Sequence, residues 1–445
     1  MAEVLIISIS GDTRPEISSS FTQILAEAGA VLLGIERSVI QNVLALAFIV
    51  RLSTAARVLE LQQAIRRKAR ELATIAHIVE IPEDRLSQWV SRQRKQDFIV
   101  TWMAPRITAG QLAILTNVLG SMALTINSIA RLSTLESAAS ELDPRICLEM
   151  RVSGEQVNAP ELRRALLVFA DSCGFDIAVQ EDTIFRNHRR VAVFDMDSTL
   201  IQLEAIDELG RLAGVGEQVR AMTDDAMKSK MDFQTSFRKR LALLKGLPIT
   251  SIVELGERLP ITPGAHRLMR TLRALGIKTA ILSGGFTYFA CKLQQKLGFD
   301  YVFANDLDIE DGKLTGKPAG RIVDGERKAE FLQQIANQEG ICMEQTIAVG
   351  DGANDLPMLS IAGLGVAFHA KRAVRERARI SISTVTLDGL LYLLGLCDTH
   401  IENHVPDGPL PLDQRVLKAA PLSDEHLQNH GGLQAIGIGS TFPPK

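Results

Sequence analysis

Apolar and polar residues alternate over residues 3–10, the pattern of a strand with one buried face. Gly11-Asp12-Thr13-Arg14-Pro15 breaks it, and residues 17–28 then carry apolar side chains at helical spacing. Residues 31–40 and 43–52 predict two strands joined at Gln41-Asn42 by a tight turn. Residues 54–72 predict a basic helix with Val58, Leu61 and Ile65 on one face, and residues 74–81 a last strand. After a polar connector over residues 83–96, in which Trp89 reads as a packing anchor, much the same order returns. Strands are predicted at 97–104, 124–132, 145–152 and 175–181. Helices are predicted at 108–122, with Thr108 as its cap, and at 159–173, with Pro160 in its first turn. Residues 1–82 and 97–182 thus each read β-α-β-β-α-β, two ferredoxin-like units in tandem.

The second half is patterned differently. Arg189 and Arg190 lead into Val191-Ala192-Val193-Phe194, an unbroken apolar run that suits a strand covered on both faces of a parallel sheet. The run ends in Asp195-Met196-Asp197-Ser198-Thr199. Residues 204–213, 217–228, 232–245 and 249–258 have helical spacing, so about 201–262 form a helical insertion, a cap over the strand end. Strands resume at 277–282, ending in Ser283-Gly284-Gly285, and at 301–304; residues 307–315 predict a hairpin turning at Asp311-Gly312. Gly325-Glu326-Arg327-Lys328 opens a helix. Residues 346–349 form a strand running into Gly350-Asp351-Gly352-Ala353-Asn354-Asp355, and 364–368 another. Strands alternating with helices predict an α/β domain with a parallel sheet over 185–398. The extension 399–445 is rich in Pro, Gly and His with little periodicity and reads as extended or disordered. His400 and His404 have the spacing of helical metal ligands, but beside Asn403 and Pro406 they read better as a solvated tail.

Composition narrows the function classes. The chain has 445 residues, enough for two to four domains, and a net charge of −3, which gives no pull toward nucleic acid or an anionic membrane. It has no apolar run of transmembrane length and no signal segment at its start. Five scattered cysteines without a Cys-x-x-Cys pair fit a reducing cytoplasm.

Two carboxylates just past a strand end suit phosphoryl transfer through a covalent intermediate. One attacks phosphorus; the other protonates the leaving alcohol and then activates water. Alone, the Asp195/Asp197 pair reads equally as a turn or a helix cap. Ser283 can donate to a phosphate oxygen while Gly284 and Gly285 let backbone N–H groups approach. Lys328 can neutralise phosphate and nucleophile, and Asp351 can join Asp195 around a hard cation. In the cap, Glu204 could hold a cationic group and Arg240 could fork onto a carboxylate, although each taken singly reads as a solvated surface charge.

The order of these motifs resembles that of the haloacid dehalogenase-like phosphatases, over roughly residues 185–398. Within them the chain is most similar to the phosphoserine phosphatase family, whose first motif matches Phe194-Asp195-Met196-Asp197-Ser198-Thr199. The resemblance implies that Asp195 is the nucleophile and Asp197 the general acid and base. It implies Mg²⁺ on the carboxylates of Asp195 and Asp351 and the backbone carbonyl of Asp197, with Asp355 in support. Ser283, the Gly284 N–H and Lys328 would hold the phosphate. Glu204 would take the amino group of O-phosphoserine and Arg240 its carboxylate, with Asn354 and Phe233 completing the substrate site. The front half resembles paired ACT domains, carried by Gly11-Asp12-Thr13-Arg14-Pro15-Glu16-Ile17. This implies L-serine as a regulatory ligand, or association alone, and a homodimer through sheet edges. Glu16 stands where that family usually has Gly, which puts ligand binding by the first copy in doubt. Arg372 stands where the phosphatases usually have Pro, in a loop expected to lie outside the chemistry. A dehalogenase is disfavoured because it has no need of Asp197. A phosphatase for another small ester and an amino-acid-sensing regulator remain as alternatives.

Overall fold

The computed structural model describes residues 3–82, 96–135, 144–154, 158–227 and 232–405. The connector with Trp89 and the chain beyond 405 lie outside the described residues. The chain divides into two compact units, Met1–Lys95 and Gln96–Lys445.

The first unit is a four-stranded antiparallel sheet with two helices. Its strands are β1 (Glu3–Asp12), β2 (Val31–Ile40), β3 (Val43–Leu52) and β4 (Ile75–Ile81), in the order β2-β3-β1-β4. Alternation carries Leu5, Ile7 and Ile9 of β1 and Leu44, Leu46, Phe48 and Val50 of β3 inward. They meet Ile17 and Phe21 of helix Pro15–Glu27 and Val58, Leu61 and Ile65 of helix Ala55–Glu71. β1 continues past the predicted break, because Gly11 and Asp12 still pair with Leu44 and Val43. The turn falls at Gln41-Asn42 as predicted, with Gln41 at φ +54°. Glu16 is exposed in the first turn of its helix, where a negative charge is favoured, and pairs with Arg14 at 3.7 Å.

The second unit opens with the same arrangement. β5 (Gln96–Ala104), β6 (Thr125–Arg131), β7 (Ile146–Gly154) and β8 (Asp176–Glu181) are ordered β6-β7-β5-β8. Helices Ala109–Ser121 and Ala159–Cys173 cover it. Thr108 accepts from the Gln111 N–H and Gln111 caps back in return, as a polar residue before an apolar helix should.

The chain then forms a seven-stranded sheet in the order β12-β11-β10-β9-β13-β14-β15. These strands are β9 (Val191–Phe194), β10 (Lys278–Phe286), β11 (Tyr301–Glu310), β12 (Lys313–Ala319), β13 (Thr346–Gly350), β14 (Leu364–Phe368) and β15 (Ile380–Ile382). All neighbours are parallel except β12, which pairs antiparallel with β11 across the Asp311-Gly312 turn. β9 is central, and its two faces explain its unbroken apolar run. Val191 and Val193 pack into one core, Ala192 and Phe194 into the other. Strand order reverses at β9, so the crevice beyond β9 and β13 is where such a sheet takes a ligand. β10 runs through Ser283-Gly284-Gly285 to Phe286, longer than predicted, and its helix begins only at Thr287.

The four helices of the insertion are Ala205–Leu212, Gly216–Met227, Phe233–Leu243 and Ile249–Glu257. The chain leaves and rejoins the sheet domain side by side. Ile201 bridges Ile261, the Gln202 N–H donates to Pro260 at 2.9 Å, and the Thr262 N–H donates to Leu200 at 2.9 Å.

One expectation is corrected at the carboxyl end. Residues 399–404, read as the start of an extended tail, belong to helix Asp398–His404. Asp398 is fully buried, accepting from Arg267 Nη2 and the Tyr392 hydroxyl, each at 2.8 Å. Next to it Asp388, also buried, accepts from Arg145 Nη1 at 2.7 Å and Arg267 Nη1 at 2.8 Å. Arg145 belongs to the β5–β8 module, so this cluster ties that module to the sheet domain. Burial opposes the charge of Asp388, but Arg145, Thr386 and Arg267 outweigh it and hold its pKa below the ordinary carboxylate range. Removing a partner from a buried ion pair strands the other charge, at a cost of about 3 kcal/mol. Asp388→Asn should therefore lower the unfolding free energy at pH 7, measured by denaturant titration, by about that amount. A depressed carboxylate stabilises above its unfolded pKa of about 3.9 and loses that contribution as pH falls through its folded value. The gap between wild type and variant should close below about pH 4; a constant gap from pH 7 to pH 3 would refute the pairing.

Candidate active site

Every singled-out side chain of the sheet domain comes to one crevice at the carboxyl ends of β9, β10 and β13. A cavity of about 370 Å³ opens there, between the sheet and the cap. This is near the small end of ligand pockets. Asp195, Asp197, Gly284, Asp351 and Asn354 line its floor, and Glu204, Phe233 and Arg240 line its roof.

The strand ends position the floor. The Asp195 N–H continues the ladder to Val349 at 2.9 Å, which fixes its side chain at the lip. Lys328, on helix Gly325–Gln338, is fully buried, with Nζ 2.8 Å from Asp195 Oδ1 and 2.7 Å from Asp355 Oδ1. Asp324, missed in the sequence, caps this helix by accepting from the Arg327 N–H at 3.0 Å. Asp355 Oδ2 accepts from the Gly352 N–H at 2.9 Å. A Cβ on Gly350 would lie 2.4 Å from the Asp355 carboxyl carbon, so glycine is required where this loop folds back. Asp351 Oδ1 accepts from the Thr199 hydroxyl at 3.1 Å.

Asp197 faces elsewhere. Its Oδ1 accepts from the Ala205 N–H at 3.1 Å, at the start of the cap, and a Cβ on Gly285 would stand 2.6 Å from its Oδ2. The acidic group able to surround a cation therefore consists of Asp195, Asp351 and Asp355, one oxygen from each lying within 4.8 Å of the others. The Asp197 carboxylate lies outside this group. Three carboxylates face a single ammonium, so negative charge is in surplus. An all-oxygen donor set suits a hard divalent cation.

Electrostatics follow from burial. Burial first, and then Asp355, push Asp195 up to about 7 against the pull of Lys328. Burial, Glu204 and Asp195 raise Asp197 well above a free carboxyl. Asp351 is likewise raised by burial and by Asp355 and Asp195. Burial opposes the charge on Lys328, but Asp195 and Asp355 outweigh it and its pKa lies above that of a free lysine.

Ser283 is fully buried, and its Oγ accepts from the Gly285 N–H at 2.9 Å, leaving the hydroxyl proton to donate. The Phe233 ring lies against Gly284, where a Cβ would be 2.7 Å from it, and stacks on Phe237 with centroids 6.2 Å apart.

The cap brings a carboxylate and a guanidinium to the roof. Glu204 accepts from the Ser198 hydroxyl at 2.8 Å; Ser198 holds a left-handed backbone at φ +56°. Burial raises the Glu204 pKa, Ser198 opposes, and Lys371 is among the charges that lower it. The loop holding Lys371 was expected to lie outside the chemistry, and its charge reaches this side chain. Arg240 is 5% exposed and donates to the Thr223 hydroxyl at 3.0 Å, which in turn donates to Asp207 Oδ1 at 2.6 Å. Thr223 and Asp207 were missed in the sequence: nothing in the spacing of helix Gly216–Met227 marks which of its residues meets Arg240.

The haloacid dehalogenase-like hydrolase family model matches residues 192–360, and the ACT domain model matches residues 3–79. A phosphoserine phosphatase of Mycobacterium tuberculosis is 37% identical over 399 residues, covering 89% of this chain and 94% of its own. One from Archaeoglobus fulgidus is 45% identical over 251 residues, 56% of this chain and 73% of its own. A crystal structure of a probable phosphoserine phosphatase from Vibrio cholerae aligns with TM-score 0.52 at 33% identity, covering 71% of this chain and 91% of that one. Identity at this level along nearly the whole of both chains makes this protein a phosphatase of the phosphoserine phosphatase family, with a haloacid dehalogenase-like domain behind an N-terminal ACT domain.

Proposed function

We propose that this phosphatase hydrolyses O-phospho-L-serine to L-serine and phosphate, the last step of serine biosynthesis, in the cytoplasm. The observation that carries the substrate is the roof of the cavity, where Glu204 and Arg240 lie opposite the Asp195 lip. A phosphorylated zwitterion offers an ammonium for Glu204, a carboxylate for Arg240 and a phosphate for the floor. The relatives named phosphoserine phosphatase support the same reading.

Asp195 attacks phosphorus as the bond to the serine oxygen breaks, giving an aspartyl-phosphate. Asp197, whose buried setting favours the acid form, gives its proton to the leaving serine oxygen. Asp197 then takes a proton from the water that attacks the phosphorus, which releases phosphate and restores Asp195. Lys328, Ser283 and the Gly284 N–H hold the phosphoryl oxygens, and Asn354 orients the substrate beside them. Phe233, packed over Gly284, helps to shield the floor from water. Mg²⁺ would be held by Asp195, Asp351 and the Asp197 backbone carbonyl, with Asp355 in support, and supplies charge neutralisation when bound. The β-module over 97–182 and the ACT domain over 1–82 are proposed as separate domains in front of a phosphatase domain at 185–398. L-Serine is proposed as the ligand of the ACT-like front half. A homodimer through β2 is proposed because this edge strand exposes Val31, Leu32, Ile35 and Ile40.

Phosphate release from O-phosphoserine should exceed that from other small phosphate esters, should stop in EDTA and should return with Mg²⁺. Turnover of other esters but not phosphoserine would keep the phosphatase and discard the substrate. Asp195→Asn should lower kcat by at least about 10³-fold, since a missing nucleophile is not compensated by its neighbours. Thr223→Val removes one hydrogen bond to the Arg240 charge, on the order of 1.5 kcal/mol, so KM for phosphoserine should rise about tenfold with kcat little changed. An unchanged KM would show that Thr223 does not set Arg240. Light scattering should give twice the chain mass, and Ile35→Lys should shift it toward the monomer.

A further inference from the structure

A second cavity, of about 340 Å³, opens between the β5–β8 module and the seven-stranded sheet. Glu344 precedes β13, Gly365 lies at the start of β14 and Ile380 at the start of β15, and all three line it. It therefore lies at the amino ends of the strands, the end of the sheet opposite Asp195 and Asp351.

Three guanidinium groups line this cavity: Arg163 from helix Ala159–Cys173, Arg189 just before β9, and Arg379 just before β15. Arg163 and Arg379 lie close enough to repel each other. Burial and then the like charge of Arg379 depress the pKa of Arg163, with Glu181 opposing. Burial and Arg186 bring Arg189 down to about 10. The carboxylates at the wall, Glu181 and Glu344, belong to exposed residues.

The buried part is built but incompletely paired. Arg189 is 9% exposed and Gln180 7%. Arg189 Nη1 donates to the Glu344 carbonyl, and Gln180 Nε2 donates to the Leu393 carbonyl at 2.9 Å. A Cβ on Gly363 would lie 2.4 Å from Arg189 Nη1, so a glycine makes room for the guanidinium. Yet Arg163 Nε, Arg189 Nε and Gln180 Oε1 are buried with no hydrogen-bond partner among the described residues. Buried polar atoms are nearly always paired, with protein, water or ligand. Orphaned arginine Nε atoms also occur elsewhere, at Arg186 and Arg240; here two of them and an amide acceptor lie on residues that line one cavity.

We infer that this cavity binds a small oxyanion, a carboxylate or phosphate, which also offers a hydrogen-bond donor to Gln180 Oε1. Arginine forks match the two oxygens of either group, and a positive wall draws the anion in. The site is separate from the catalytic pocket and shares no lining residue with it. Its occupant touches β8 and the strands carrying the catalytic loops, so it braces the junction between them.

Calorimetric titration of the full-length protein in EDTA, at fixed ionic strength, tests this with two probes, inorganic phosphate and malonate. The comparison chain is the double variant Arg163→Gln/Arg379→Gln. Phosphate entering the catalytic pocket contributes equally to both chains and cancels. At least one probe should bind wild type at least tenfold more tightly than the double variant. A difference with phosphate alone assigns a phosphoryl ligand, and one with malonate alone a carboxylate ligand. Phosphatase turnover with Mg²⁺ should stay at the wild-type level in the double variant, which reports an intact fold and tests the catalytic reading separately. If that variant misfolds, the single variant Arg379→Gln, at an exposed position, should give the same selective weakening. Isotherms that match wild type for both probes overturn the site.

Discussion

The placement of Lys328 between Asp195 and Asp355, with no exposure to water, is the interaction on which the site depends. Carboxylates packed this closely at a strand end repel one another and lose their solvation together. One ammonium cannot balance Asp195, Asp351 and Asp355, so the folded chain carries a standing demand for a further cation. Burial, and then the charges of Glu204 and Asp195, raise the pKa of Asp197, which lies away from Lys328's direct contacts. Asp195 beside a lysine and Asp197 near a carboxylate are thus set in different electrostatic surroundings two residues apart. The glycines at 285 and 350 serve it sterically, since a side chain at either would occupy the space of Asp197 or Asp355.

The cap completes this floor without being part of the sheet. Its two connections run side by side through Ile201 and Ile261, and it is also fastened to the β11–β12 hairpin, where Pro248 bridges Lys313 and the Leu314 N–H donates to Leu247 at 3.0 Å. Across the cavity Gln234 Nε2 donates to Asp324 Oδ2 at 2.6 Å, and Asp324 caps the helix that carries Lys328. The roof is therefore latched to the element that delivers the buried cation. Arg240, Thr223 and Asp207 form a hydrogen-bonded chain inside the roof, which holds the guanidinium in one orientation.

The two βαββαβ modules are alike in topology and unlike in attachment. Each has a core of its own, built from Leu5, Phe21 and Phe48 in the first and from Phe98, Trp102 and Phe169 in the second. The second contributes Met103, Cys147 and Ala178 to the sheet domain's own core. Its Asp176 accepts from the Ser383 and Thr384 N–H groups, each at 2.8 Å, just past β15. With the Arg145–Asp388–Arg267–Asp398 cluster this ties the second module to the seven-stranded sheet domain.

What the residues determined by themselves was local. Period-two and period-3.6 patterns, the Thr108 cap, the turns at Gln41-Asn42 and Asp311-Gly312, and the strand-end motifs around Asp195, Ser283 and Asp351 each lie within a few neighbours in the chain, and all were legible there. Family resemblance extended this to Glu204, Arg240 and Lys328, because their order along the chain is itself local information. Tertiary structure decided the rest. Thr223 and Asp207 acquire their role only when two cap helices cross. β10 runs on through two glycines because β11 pairs with Phe286 beyond them. Helix Asp398–His404 forms in a stretch without periodicity because Arg267 and Tyr392 bring donors to Asp398. The three arginines at the far end of the sheet lie on separate elements and share a cavity only after folding. Such contacts join residues distant in sequence, and their energies come from burial and charge that no single stretch of chain contains.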